Sequence, residues 1–153
     1  MSKIKALVVD DSKIMRSAVK RTLNQLMLAD FEYVEAIDGE DALEKFSDDI
    51  QIVFLDWNMP RMTGVEFSKA VRKKGNTEHI PIIMITAEKS MGKVDTALNE
   101  GGANAYVTKP FTADQVSQVL SRYIDKNGNF LTENGDQGEK KSFFKDMLNF
   151  NKQ

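Results

Sequence analysis

The sequence predicts an α/β fold: a parallel sheet, doubly wound, with helices on both faces. Two observations predict it. Four short apolar runs, Ala6–Val9, Ile52–Leu55, Ile82–Ile85 and Ala105–Val107, are rich in β-branched residues and lack period-two alternation. Strands buried on both faces read that way. Helix-period stretches separate the runs, and a β-α order repeated five times at this spacing implies a parallel sheet.

The elements follow in chain order. After the first run comes a helix with Ile14, Ala18, Leu23 and Leu26 near one face and Asp11 or Ser12 as N-cap. Tyr33–Ala36 is a weaker strand. Asp38-Gly39 opens a second helix that carries Ala42, Leu43 and Phe46. A third helix runs from about Gly64, carries Val65, Phe67 and Val71, and ends near Gly75. A fourth spans about Lys89 to Glu100 and stops at Gly101-Gly102, a strong stop signal. A fifth starts after Pro110 and carries Val116, Val119, Leu120 and Tyr123.

The composition changes after Asp125. Residues 1–125 are expected to form one domain, 126–138 a polar linker, and 139–153 an amphipathic helix carrying Phe143, Phe144, Met147 and Leu148. Such a tail either packs on its own domain or covers an output face. The run Asp125 to Asn129 is a poor calcium loop, because Phe130 stands where glycine is needed.

A net charge of -2 argues against an electrostatic grip on nucleic acid or anionic lipid. The absence of cysteine excludes disulfides, thiolate catalysis and zinc-thiolate sites. The first apolar run is too short for a signal peptide, and no stretch approaches a membrane span. A cytoplasmic protein with no membrane or nucleic-acid partner is expected.

The polar residues at strand ends carry the chemistry. Asp10 and Asp11 end the first strand, Asp56 the third and Thr86 the fourth; Lys109 follows the fifth. In open α/β sheets, ligands bind at the carboxyl ends of strands, so these residues should converge. Two carboxylates 4 Å apart repel by about 1 to 4 kcal/mol. A hard divalent cation resolves that repulsion, and Mg²⁺ commonly joins one or two carboxylates to a phosphate. An Asp between a metal and a lysine suits nucleophilic attack on phosphorus. Thr86 can donate to a phosphoryl oxygen. Singly, each residue has a plainer reading: a cap for the Asp, a strand former for Thr86, a solvated Lys109. Asp38, Asp41, Asp48 and Asp49 read as turn and exposed helix residues, and His79 as a loop residue.

Four segments resemble bacterial response-regulator receiver domains: Leu7 to Ser12, Phe54 to Pro60, Met84 to Glu88 and Tyr106 to Phe111. The Asp56-Trp57-Asn58-Met59-Pro60 and Thr86-Ala87-Glu88 stretches resemble chemotaxis regulators of the CheY type most. The resemblance covers about residues 3 to 125. It implies a flavodoxin-like (βα)5 sheet of strand order 2-1-3-4-5. It implies Asp56 as phosphoacceptor, and Asp10, Asp11, Asp56 and the Asn58 backbone carbonyl as the Mg²⁺ set. Thr86 and Lys109 would bind the phosphoryl group, and the Lys109-Pro110 bond would be cis. Thr86 and Tyr106 would form the switch, with Tyr106 swinging inward. Asn58 and Glu88 would tune phosphoryl lifetime.

The partners implied are a histidine kinase, a downstream protein such as a flagellar motor switch protein, and a phosphatase. The chain would be a signalling switch in chemotaxis, not an enzyme, apart from its own autophosphorylation and autodephosphorylation. A phosphate sink or a single-domain regulator of another pathway are the alternatives. A haloacid-dehalogenase-like phosphatase would need a second carboxylate two residues after the nucleophile; Asn58 stands there, and an amide cannot protonate a leaving group. A regulator of transcription would need a basic recognition helix, which the tail lacks.

Overall fold

Parallel ladders join five strands in the order β2-β1-β3-β4-β5 in the computed structural model, which describes residues 3–131. The strands are β1 (Lys3–Val9), β2 (Asp30–Ala36), β3 (Ile52–Leu55), β4 (Ile82–Thr86) and β5 (Ala105–Thr108). Every residue of β3 and β4 is buried, as strands with both faces covered must be. This is the expected doubly wound, flavodoxin-like fold.

Helices fill the four crossovers, α1 (Lys13–Leu26), α2 (Gly39–Lys45), α3 (Gly64–Lys73) and α4 (Met91–Asp95), and α5 (Ala113–Leu120) follows β5. Each starts at a polar cap. The side chains of Ser12, Asp38, Thr63, Ser90 and Thr112 accept a backbone N–H three residues on. Thr63–Glu66 and Thr112–Gln115 close full capping boxes. Helix α1 lies against α5, and α2 against α3.

Four local expectations are corrected. Ile14 is 79% exposed, and the buried residues of α1 are Arg16, Val19 and Leu23. The helix is turned so that a guanidinium with internal partners faces the sheet; Ile14, two residues earlier, then lies about 200° around the axis. The fourth helix ends in a π-helical turn, Thr96–Glu100, where the Gly101 N–H reaches back to the Thr96 carbonyl at 2.8 Å. Asp38 is buried rather than an exposed turn residue, because it caps α2 and accepts from Arg61 Nη1 at 3.0 Å. Residues 126–131, at the start of the expected linker, fold back: Ile124 bridges Phe130, and the Leu131 N–H donates to the Tyr123 carbonyl at 2.7 Å. Phe130 packs on the core, so the folded unit runs beyond Asp125. The rest of that linker and the expected helix over 139–153 lie outside the described residues.

One close approach fixes the loop after β3. The Gly64 N–H donates to the Trp57 carbonyl at 2.9 Å. A Cβ at Gly64 would stand 2.0 Å from the Asp56 carbonyl oxygen. The backbone of α3 thus abuts the backbone of Asp56, and only glycine permits it. Gly64→Ala is expected to destabilise the fold by about 3 kcal/mol or more, measured by urea unfolding, because the clash is with backbone that cannot yield.

Candidate functional site

Strand register brings the acidic residues together. Val9 pairs with Leu55 across β1 and β3, so Asp10 and Asp56 follow at the same sheet edge. The ladder continues past the strands: the Asp56 N–H donates to the Val9 carbonyl at 3.0 Å, and the Asp10 N–H to the Ala36 carbonyl at 3.1 Å. On the other side, Thr86 pairs with Thr108, and the Lys109 N–H donates to the Thr86 carbonyl at 2.8 Å. The Lys109-Pro110 peptide bond is cis, as expected.

One carboxylate oxygen from each of Asp10, Asp11 and Asp56 lies within 4.8 Å of the others. Asp10 and Asp56 are buried and Asp11 is exposed. Lys109 Nζ stands 2.9 Å from Asp10 Oδ2 and 3.6 Å from Asp56 Oδ2. The four residues named from the sequence therefore meet. All three acids offer hard oxygen donors, which is the donor chemistry that suits Mg²⁺.

Each carboxylate is held from its own loop. Asp10 Oδ1 accepts the Ser12 N–H at 2.9 Å, and Asp56 Oδ1 accepts the Trp57 N–H at 2.8 Å. Burial pushes the Asp56 carboxyl above the usual aspartate range, Lys109 pulls it back, and the Asp10 charge pushes it up again. The Thr86 hydroxyl and the Trp57 N–H add smaller pulls downward.

The remaining site residues sit around this centre. Thr86 is buried at the end of β4, and its hydroxyl accepts the Glu88 N–H at 3.4 Å. Tyr106 is buried, not the half-buried strand aromatic its position alone would suggest. Its hydroxyl donates to the Glu88 carbonyl at 2.6 Å. Burial, and after it the charges of Glu88 and Asp56, push the phenol well above its ordinary pKa. Asn58 and Glu88, distant in sequence, touch: the Asn58 amide donates to Glu88 Oε1 at 2.8 Å. Trp57 is buried beside the site, with Lys93 Nζ 5.0 Å from its ring centroid. His79 is exposed in a turn before β4.

Sequence reasoning missed Arg16. It is buried, and its Nη1 donates to the Asp10 carbonyl at 2.6 Å. Its spacing from Val19 and Leu23, three and seven residues on, was the available signal. It was missed because a charged residue is assigned to solvent by default. Gly64 was read only as a helix start, yet it sets how close α3 comes to Asp56.

Comparison with known proteins follows the same lines. The family model for the response regulator receiver domain matches residues 6–121. The chemotaxis protein CheY1 of Helicobacter pylori is 41% identical over 126 residues, 81% of this chain and 99% of that one. The structure of chemotaxis protein CheY4 of Vibrio cholerae superposes with a TM-score of 0.69 at 36% identity, over 79% of this chain and 98% of that one. The receiver domain of a sensor histidine kinase from Pseudomonas aeruginosa, solved with a magnesium ion in its active-site cleft, shares the fold at 23% identity and a TM-score of 0.68, over 79% and 97% of the two chains.

The raised Asp56 carboxyl has a consequence for stability. The folded chain holds this proton to higher pH than the unfolded chain does. Unfolding free energy therefore falls as pH rises through the window from the ordinary aspartate value to the raised one, and the cost is fully present above it. In chelator at neutral pH, Asp56→Asn is expected to unfold a few degrees higher than wild type, about 2 to 5 °C by thermal melting. The gain should shrink as pH falls toward the ordinary aspartate range.

Proposed function

Because the chain belongs to the response regulator receiver domain family, we propose that it is switched by transfer of a phosphoryl group from a histidine kinase to Asp56. Receiver domains act in two-component signalling, between histidine kinases and downstream targets. The observation that carries the proposal is the meeting of Asp10, Asp11 and Asp56 with Lys109 at one sheet edge.

The chain's own residues account for most of the chemistry. Asp56, oriented by the Trp57 N–H, attacks phosphorus; the bond to the donor imidazole breaks as the new P–O bond forms, and its electron pair leaves with the imidazole. Lys109 is the cation already beside the nucleophile, within reach of incoming phosphoryl oxygens. The Thr86 hydroxyl can donate to one of those oxygens. Asp10, Asp11 and Asp56, with the Asn58 backbone carbonyl, are the residues that would hold Mg²⁺, which supplies charge neutralisation on the transferring group. Asn58 cannot act as a general acid, so the site suits one transfer rather than turnover of phosphate esters.

The switch lies between Thr86 and Tyr106. A dianion on Asp56 draws the Thr86 hydroxyl toward it, and the Tyr106 hydroxyl on the Glu88 carbonyl ties the following loop to β5. The Asn58–Glu88 contact closes over the same side, which fits a role for both in phosphoryl lifetime. The relatives' names support chemotaxis, and a flagellar motor switch protein fits as target. Among the described residues no helix is long and apolar enough to cross a membrane, which fits a cytoplasmic setting.

Incubation with a small acyl phosphate and Mg²⁺, followed by intact mass, tests the reading. One base-labile phosphoryl group is expected on wild type and none on Asp56→Asn. Lys109→Met should slow the reaction by about 100-fold or more, since it removes the cation from the transferring group. An Asp56→Asn chain labelled as well as wild type would exclude Asp56 as the acceptor.

A further inference from the structure

A cation on the inner face of a helix needs partners, and Arg16 has two. Its Nη1 donates to the Asp10 carbonyl at 2.6 Å, and its Nε to Glu35 Oε1 at 3.0 Å. Glu35 is itself held by Lys20 Nζ at 2.9 Å on its second oxygen. Lys45 Nζ donates to the Glu35 backbone carbonyl at 2.8 Å. A planar guanidinium fixed at two of its nitrogens has a fixed direction, which a lysine ammonium does not. The backbone of Asp10 is therefore held on both sides of its Cα. Its N–H donates to Ala36 in β2, and its carbonyl accepts from a side chain anchored on Glu35, the neighbour of Ala36.

Packing alone does not call for arginine here. Replacing a buried ion pair with apolar residues is often neutral or stabilising. The charge alone does not explain it either, because Glu35 offsets the guanidinium. What remains is direction. The Asp10 carbonyl belongs to the peptide that joins Asp10 to Asp11, and the tilt of that peptide sets where both carboxylates point.

We propose that Arg16 is a positioning residue for cation binding. By clamping the Asp10 carbonyl it aims the Asp10 and Asp11 carboxylates at the space they share with Asp56. This rests on the metal reading given under Proposed function. Partners of metal ligands characteristically matter to affinity by about 10- to 100-fold when removed.

The test is a Mg²⁺ titration of the full chain, read by Trp57 fluorescence and by the rise in melting temperature. Wild type is compared with Arg16→Met, Arg16→Lys and Val19→Ala. Val19→Ala is the control: it loosens α1 against the sheet without touching Asp10. Arg16→Met and Arg16→Lys are expected to weaken Mg²⁺ binding about tenfold or more. Lysine fails to rescue because it cannot make both bonds. Val19→Ala should melt lower yet bind Mg²⁺ near the wild-type value. If Arg16→Met does not fold, Arg16→Lys carries the same criterion. Tighter binding in Arg16→Met would mark the guanidinium as a mere opposing charge and overturn the proposal. Unchanged binding, or an equal loss in Val19→Ala, overturns it too. A wild type indifferent to Mg²⁺ overturns the metal reading and this inference with it, whereas a wild type that binds beside an unaltered Arg16→Met defeats this inference alone.

Discussion

Three carboxylates facing one ammonium, mostly out of water, create an excess of negative charge that the fold must hold in place. Asp10 and Asp56 are buried, and each has one oxygen committed to a backbone N–H and the other turned toward Lys109. Repulsion between such groups is worth about 1 to 4 kcal/mol per pair at 4 Å. Left alone, the loops would move apart. The site therefore stores an electrostatic demand that a divalent cation between the acids would answer.

Backbone hydrogen bonding holds the acids against that repulsion. The β1–β3 ladder reaches one residue past Val9 and Leu55, and so delivers Asp10 and Asp56 side by side. The β4–β5 ladder delivers Lys109 in the same manner. Gly64 lets α3 press against the Asp56 peptide, and Arg16 presses the Asp10 peptide from the opposite helix layer. Thr86 and Tyr106 stand just behind. Thr86 is the last residue of β4, and the Tyr106 hydroxyl closes on the loop that follows it. Thr86, whose hydroxyl pulls on the Asp56 carboxyl, also accepts the Glu88 N–H, so Asp56 is linked to the loop that leads into the fourth helix.

Much of this was legible from residue order. Uninterrupted apolar runs such as Ile52–Leu55 can only be strands covered on both sides, and an acid at the end of such a run has one edge to occupy. Ser12 and Asp38 announced helix starts because a side-chain oxygen there satisfies free N–H groups. What stayed hidden depends on partners far along the chain. Arg16 faces inward because Glu35 and the Asp10 carbonyl await it, and Ile14 is turned out as a result. Asp38 is buried because Arg61 reaches it from the loop after β3. Asn58 meets Glu88 only once β3 and β4 are neighbours. Hydrophobic periodicity carries no information about such polar pairings. It also cannot distinguish a π-helical turn from an α-helical one, since the difference lies in which carbonyl the Gly101 N–H selects.

The most direct measurement is crystallography of the chain grown with Mn²⁺ in place of Mg²⁺, using anomalous scattering to find the ion. The account predicts a single strong peak bounded by the carboxylates of Asp10, Asp11 and Asp56. A peak bound elsewhere, or none at this edge at saturating Mn²⁺, would contradict it.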